Sequence, residues 1–242
     1  MKPVMFTDLD DTLFYSQRAL SGQDNLTLAS LDRQGRGLCF HTPEQRWLVG
    51  LLIQFDIVIP VTGRSSESLT RVISPHLTSY RVASHGAVIL DPQGQSVSDW
   101  FMQIEEESKQ WGERLDCTFD LLVQWQHQYP KDLRVRKVMD QGIITYLSVK
   151  GSEEILTDIA TSFKNRWDKG VLHHNQRNLA LLPSYTDKAR AVSYLIDHLR
   201  AASIEPLLFM GAGDSVTDIP FLKLCDFVLT PKTSRIHKVL WP

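Results

Sequence analysis

Apolar residues recur along the chain in two rhythms, and the change from one to the other divides it. The run "PVMFT" (3–7) and the run "DIVIPV" (56–61) are short, continuous and apolar, as buried strands are. Between them lies a polar, glycine-containing segment (15–42), longer than most connections in compact domains and therefore expected to be a lid or flap. A helical pattern begins after Thr42 and Pro43, which suit an N-cap and a first helical position. Residues 65–74, "SSESLTRVIS", read as a further helix. "YRVASHGAVILDPQGQSV" reads as two short strands, the second closed by a Pro-Gln-Gly turn. Strand and helix in alternation predict a parallel α/β sheet.

The rhythm changes after residue 96. Residues 100–129 form a long helical stretch, readable as one helix or two, stopped by Pro130. Alternating runs "LRVRKVM" and "IITYLSV" follow, joined by Asp140, Gln141 and Gly142, a hairpin signal. Residues 152–167 read as a helix with Ser152 as N-cap and two acids in its first turn. Strand-like runs at 171–175 and 178–183 complete an α-β-β-α-β-β order. From Thr186 the first rhythm returns: an amphipathic helix with Thr186 as its N-cap, the buried strand "PLLFMG", a short helix and a last strand "DFVLT". The expected fold class is α/β, a Rossmann-like parallel-sheet core (1–95 and 184–242) carrying an inserted α+β cap domain (96–183).

Composition narrows the function without naming it. With 43% hydrophobic and 22% charged residues, the chain has the makings of packed cores, and a net charge of -2 gives no general attraction to nucleic acid or an anionic membrane. The one basic cluster, 131–137, contains an aspartate and reads as a solvated strand face. An aspartate interrupts the first ten residues before a signal sequence could form, and the apolar run 47–61 is broken by Asp56, so a cytoplasmic protein is expected. Cys39, Cys117 and Cys225 are far apart and outside C-x-x-C spacing, which predicts reduced, partly buried thiols. Oligomeric state leaves no signal.

Chemistry concentrates at the expected strand ends, where open parallel sheets place their sites. Asp8, Asp10 and Asp11 follow the first strand, Thr62, Gly63 and Arg64 the second, and "GAGDSVTD" (211–218) a late one, with Lys188 at a helix start. Carboxylates gathered from distant segments repel unless a cation compensates them, and their hard oxygens suit Mg²⁺, which also holds phosphate oxygens.

In order, "DLDDT" (8–12), Thr62 in "VTGRS", Lys188 in "TDKAR" and "GDSVTD" (213–218) resemble the motifs of the haloacid-dehalogenase-like (HAD) phosphohydrolase superfamily. The resemblance spans about residues 1–90 and 184–242. The position and element order of the insert resemble the type-two, subclass B cap of sugar phosphatases. It implies Asp8 as nucleophile, Asp10 as general acid and base, and Thr62, the backbone at Gly63 and Lys188 as the phosphoryl cradle. It also implies Asp8, Asp214, Asp218 and the main-chain carbonyl of Asp10 as Mg²⁺ ligands or their support. Asp10 then needs a raised pKa, which crowding by other carboxylates could supply. Asp11 reads as a loop residue. His85, Arg64 and Arg177 are carried as candidate substrate contacts.

The chain departs from the family at Thr217, Ala189 and His85, where relatives often carry Asn, Gly and Asn. Catalytic residue types are retained, so the departures bear on substrate. The implied activity is Mg²⁺-dependent hydrolysis of a small phosphomonoester, a sugar phosphate first among them, through an aspartyl-phosphate. A phosphotransferase or mutase on the same scaffold and a receiver-like phosphoaspartate module are the alternatives. His173 and His174, adjacent on a strand, point to opposite faces and are not expected to share a metal. Trp100, Trp111 and Trp125 are expected to pack rather than stack on sugar.

Overall fold

The computed structural model describes residues 1–20, 22, 24–73, 77–175 and 177–240. In chain order its elements are β1 (Lys2–Thr7), β2 (Tyr15–Ser16), β3 (Thr27–Leu31), β4 (Gly37–His41), α1 (Pro43–Leu51), β5 (Ile57–Pro60), α2 (Ser66–Leu69), β6 (Arg81–Ala83) and β7 (Val88–Leu90). Then come α3 (Ser98–Gln128), β8 (Arg134–Asp140), β9 (Ile143–Lys150), α4 (Glu153–Phe163), β10 (Val171–Asn175) and β11 (Asn178–Leu182). The chain closes with α5 (Lys188–Ala202), β12 (Leu207–Ala212), α6 (Ile219–Leu222), β13 (Phe227–Leu229) and α7 (Arg235–Leu240). These elements form two compact units, Met1–Val97 with Lys188–Pro242, and Ser98–Asp187.

The discontinuous unit is built on a parallel sheet of order β13-β12-β1-β5. β1 is central, Lys2 to Thr7 facing Leu207 to Ala212 on one side and Val4 to Thr7 facing Ile57 to Pro60 on the other. A strand paired on both edges and covered on both faces needs apolar side chains at every position, and Val4, Met5 and Phe6 are all buried. α1 starts as the Thr42-Pro43 pair predicts. Thr42 accepts from the Gln45 N–H while the Gln45 side chain accepts from the Thr42 N–H, a capping box. α5 turns Ala191, Val192, Leu195, Ile196 and Leu199 inward at three- and four-residue intervals.

Within residues 15–42, expected to be a lid or flap, β2, β4 and β3 make an antiparallel sheet, with Ala29, Ser30 and Cys39 buried. One expectation for this unit is corrected. The helix expected over 65–74 is a single turn, capped by Ser65. Beyond it the backbone is diverted to that small sheet: Ile73 donates to the Ala29 carbonyl at 2.8 Å and Leu31 to the Arg71 carbonyl at 3.0 Å. Ser74 lies outside the described residues.

In the second unit an antiparallel sheet of order β10-β11-β9-β8 carries α3 and α4. α3 runs unbroken. Trp100, Ile104, Trp111, Leu115, Thr118 and Leu122 form one buried stripe, and Gly112, the only weak helix former of note within it, costs only about 1 kcal/mol. Trp111 packs against Trp167 at 5.1 Å, with Arg114 over both rings, and Trp125 stacks with Tyr129 at 6.3 Å. The β8–β9 turn places Gln141 and Gly142 at φ 49° and 84°, the left-handed pair that a two-residue hairpin requires. Ser152 occupies the N-cap of α4 without a side-chain cap bond. Cys39 is buried, Cys225 partly so, but Cys117 is exposed on α3, contrary to expectation; all three are free thiols. No helix among the described residues is long and apolar enough to cross a membrane.

Candidate active site

β1 delivers Asp8 and then turns sharply. The Asp8 N–H donates to the Ala212 carbonyl at 2.9 Å, one last ladder bond, after which the N–H groups of Thr12, Leu13 and Phe14 converge on the Leu9 carbonyl. Leu9 is buried, Asp11 takes a left-handed φ of 63°, and the alternation that follows sends Asp8 inward and Asp10 outward. The carbonyls of Thr12 and Leu13 receive side-chain donors from the next segment, Gln45 Nε2 at 3.3 Å and His41 Nδ1 at 2.8 Å.

Lys188 Nζ reaches Asp8 Oδ1 and Asp218 Oδ1, both at 2.7 Å, from the first residue of α5. Asp218 Oδ2 accepts from the Ser215 N–H at 3.0 Å, so both of its oxygens are held. Thr12 Oγ1 lies 3.3 Å from Asp8 Oδ2 and 3.2 Å from Asp214 Oδ1, linking the first acidic loop to the last. Asp8, Asp214 and Asp218 each offer an oxygen within 4.8 Å of the others. Three carboxylates share one ammonium there, and the excess negative charge with hard oxygen donors fits a divalent cation such as Mg²⁺.

The electrostatics carry the mark of that excess. Burial pushes the Asp8 carboxyl well above the usual carboxylate range, and Asp218 and Asp214 add to it against the pull of Lys188. Burial, then Asp218 and Asp11, raise Asp214 to about 7. Burial alone would lower the Lys188 ammonium, yet Asp218 and Asp8 outweigh it and hold it charged. An acid that binds its proton more tightly folded than unfolded makes the fold less stable as pH rises, here between about 4 and 7 for Asp214. The melting temperature of the metal-free protein is therefore expected to fall from pH 5 to pH 8. Millimolar Mg²⁺ should raise it more at pH 8 than at pH 5, and a calorimetric series with and without EDTA measures both slopes.

The phosphate cradle expected after β5 is also ordered. Thr62 is buried, its N–H bound to the Val82 carbonyl and its hydroxyl accepting from the Arg64 N–H at 3.2 Å. His85 and Ser84 donate to the carbonyls of Thr62 and Arg64, strapping the two loops together. Ser84, His85 and Gly86 are consecutive residues of positive φ, and a Cβ on Gly63 would come within 2.5 Å of the His85 ring. That contact leaves no room for a side chain at position 63.

One expectation is corrected at Asp10. Its carboxylate is absent from the acidic cluster and is gripped by Arg64, whose Nε and Nη2 each donate at 2.7 Å. Crowding falls on Asp8 and Asp214 instead, because the alternation of the loop turns Asp10 away from them. Arg64 is thus bound to a carboxylate of the chain itself. Arg177 belongs to the other unit, exposed in the turn between β10 and β11, where its carbonyl accepts from Gly151. Gln45 went unnoticed as a support of the loop, although Thr42-x-x-Gln45 is a legible capping-box signature. His41 and Cys39 carried no such signal.

The family model for sucrose-6F-phosphate phosphohydrolase matches residues 1–226. Among solved structures, a trehalose-6-phosphate phosphatase related protein is 19% identical, with a TM-score of 0.55 over 94% of this chain and 84% of its own. The C-terminal domain of trehalose-6-phosphate phosphatase from C. albicans is 13% identical, TM-score 0.53, over 92% and 73%. A protein from Streptococcus mutans UA159 is 13% identical, TM-score 0.56, over 99% and 91%. At these identities the likeness is one of fold. No curated protein matches the sequence.

Proposed function

We propose, for a chain that belongs to the sucrose-6F-phosphate phosphohydrolase family and so to the HAD phosphatases, that its substrate is a sugar phosphomonoester and its intermediate an aspartyl-phosphate on Asp8. The observation that carries this reading is Lys188 Nζ at 2.7 Å from Asp8 Oδ1 and from Asp218 Oδ1. A buried ammonium anchored by a second acid keeps the Asp8 carboxylate oriented and offsets charge on an arriving phosphoryl group.

The other residues follow from their places. Asp8, Asp214 and the main-chain carbonyl of Asp10 would hold Mg²⁺, with Asp218 supporting them. Bound there, Mg²⁺ would supply positive charge that offsets the phosphoryl oxygens. Thr62 and the Gly63 backbone would supply donors to phosphoryl oxygens. Asp10, about half exposed and held by Arg64 outside the acidic cluster, would be the group that exchanges protons with a leaving alkoxide and then with water.

The test is phosphate release from a panel of sugar phosphates and from p-nitrophenyl phosphate, with Mg²⁺ and with EDTA. Turnover that requires Mg²⁺ and favours one or a few sugar phosphates is expected. Equal rates in EDTA would overturn the metal assignment, and phosphate appearing on a second sugar instead of in solution would mark a phosphotransferase.

A further inference from the structure

Thr12 is the joint between the two acidic loops, and it is fixed through its N–H, its hydroxyl and its carbonyl alike. The N–H donates to the Leu9 carbonyl at 3.3 Å, the hydroxyl lies 3.3 Å from Asp8 Oδ2 and 3.2 Å from Asp214 Oδ1, and the carbonyl accepts from Gln45 Nε2 at 3.3 Å. Between this loop and α1 opens a cavity of about 730 Å³, bounded by Thr12, Tyr15, Thr42, Gln45, Leu48 and Ala212 among others. Packing therefore contributes little on that side. The backbone after Thr12 depends there on hydrogen bonds, from Gln45 and, at the Leu13 carbonyl, from His41.

Gln45 suits that task through both ends of its amide. Oε1 accepts from the Thr42 N–H at 3.1 Å, which can only donate, and Nε2 meets the Thr12 carbonyl, which can only accept. Both contacts demand the same orientation of the amide. Gln45 is 7% exposed, and its own N–H is tied back to Thr42 Oγ1 at 3.3 Å. A capping box alone does not need glutamine. Glutamate in that place accepts from the N-cap N–H equally well, and its charge favours the first turn of a helix. What glutamate lacks is an N–H for Thr12. The loop, more than the helix, accounts for the amide.

A displaced Thr12 would carry its hydroxyl with it. That hydroxyl stands between Asp8 and Asp214, each of which, like Asp218, offers an oxygen within 4.8 Å of the others. A small hard cation demands its ligands at fixed separations, and groups that hold the ligands govern affinity from outside the ligand set. We propose that Gln45 is a positioning residue for the metal site, which through the Thr12 peptide keeps the Thr12 hydroxyl between Asp8 and Asp214 and so sets the spacing of the carboxylates that receive a divalent cation. The inference rests on the assignment of Mg²⁺ to Asp8 and Asp214.

The experiment titrates Mg²⁺ into metal-free protein by calorimetry at neutral pH and follows phosphate release from p-nitrophenyl phosphate against Mg²⁺ concentration, for the parent, Gln45→Glu and Thr42→Ala. Gln45→Glu keeps the cap and loses the tie to Thr12. Its melting temperature in EDTA should stay close to the parent's, while its Kd for Mg²⁺ rises at least about tenfold. The Mg²⁺ needed for half-maximal rate should rise by a like factor, with the rate at saturating Mg²⁺ within about threefold of the parent. An added carboxylate attracts a cation, so a weaker affinity has geometry, not charge, as its source. Thr42→Ala removes the cap hydroxyl and leaves the tie; its melting temperature should fall and its Kd should not move. Gln45→Met carries the test if the glutamate variant does not fold, and must weaken Mg²⁺ binding more than Thr42→Ala does. Equal Mg²⁺ affinity in Gln45→Glu and the parent, or an equal loss in Thr42→Ala, would overturn the proposal. A parent that binds no Mg²⁺, or binds it as tightly after Asp214→Asn, removes the metal assignment and this inference with it.

Discussion

Asp8→Asn is expected to lower phosphate release from any phosphomonoester by on the order of 10⁴-fold or more, because an amide has no anionic oxygen to attack phosphorus. The same change should not unfold the protein. Asparagine fills the same space, and the carboxyl removed is one of three whose oxygens lie within 4.8 Å of one another, so repulsion falls. Lys188 keeps Asp218 as its partner at 2.7 Å. Rate assays paired with thermal melts in EDTA should therefore show activity lost while the melting temperature holds or rises. A variant that retains even a tenth of the parent rate would rule out Asp8 as nucleophile.

Lys188→Met should cost both activity and stability. Lysine and its two acids are all nearly buried, with 10%, 9% and 1% of their side chains exposed, so solvent does little to screen an orphaned carboxylate there. Breaking such a pair from one side typically costs about 3–5 kcal/mol. The loss should be largest at alkaline pH. A carboxyl whose folded-state pKa is raised, as that of Asp8 is, makes the fold less stable as pH rises through that value, and removing the ammonium raises it further. Denaturant melts at pH 5 and pH 8 should show a gap between variant and parent that widens with pH. An unchanged gap would mean that Lys188 is not the cation compensating Asp8 and Asp218. Phosphate release should fall with it, by at least about a hundredfold if the ammonium balances the transferring phosphoryl group.

How much of this was legible in the sequence varied with the range over which each feature is determined. The N-cap of α1, the hairpin at Gln141 and Gly142 and the all-apolar β1 are set by a few adjacent residues, and each forms where the pattern places it. The acidic residues and Lys188 could be grouped because strand ends in a parallel sheet share one edge. The small sheet over 15–41 could not, since β2 is only two residues long and β3 meets β4 with register shifts, so its stability comes from pairing rather than from either strand. α2 stops early for a similar reason, its successor residues bonding to β3. The Arg64–Asp10 fork joins residues 54 apart through the direction each side chain takes, and no local pattern encodes that.

The double attachment at the base of that small sheet has an evolutionary corollary. His41 and Gln45 grip the carbonyls of Leu13 and Thr12, so the excursion between them leaves and re-enters at nearly the same point. Lengthening a loop whose ends are already pinned costs little, about 0.6 kcal/mol per doubling. Descendants of this chain could accordingly trade, enlarge or shed the tip of the excursion near Asp32 and Gly35 without disturbing the geometry of Asp8.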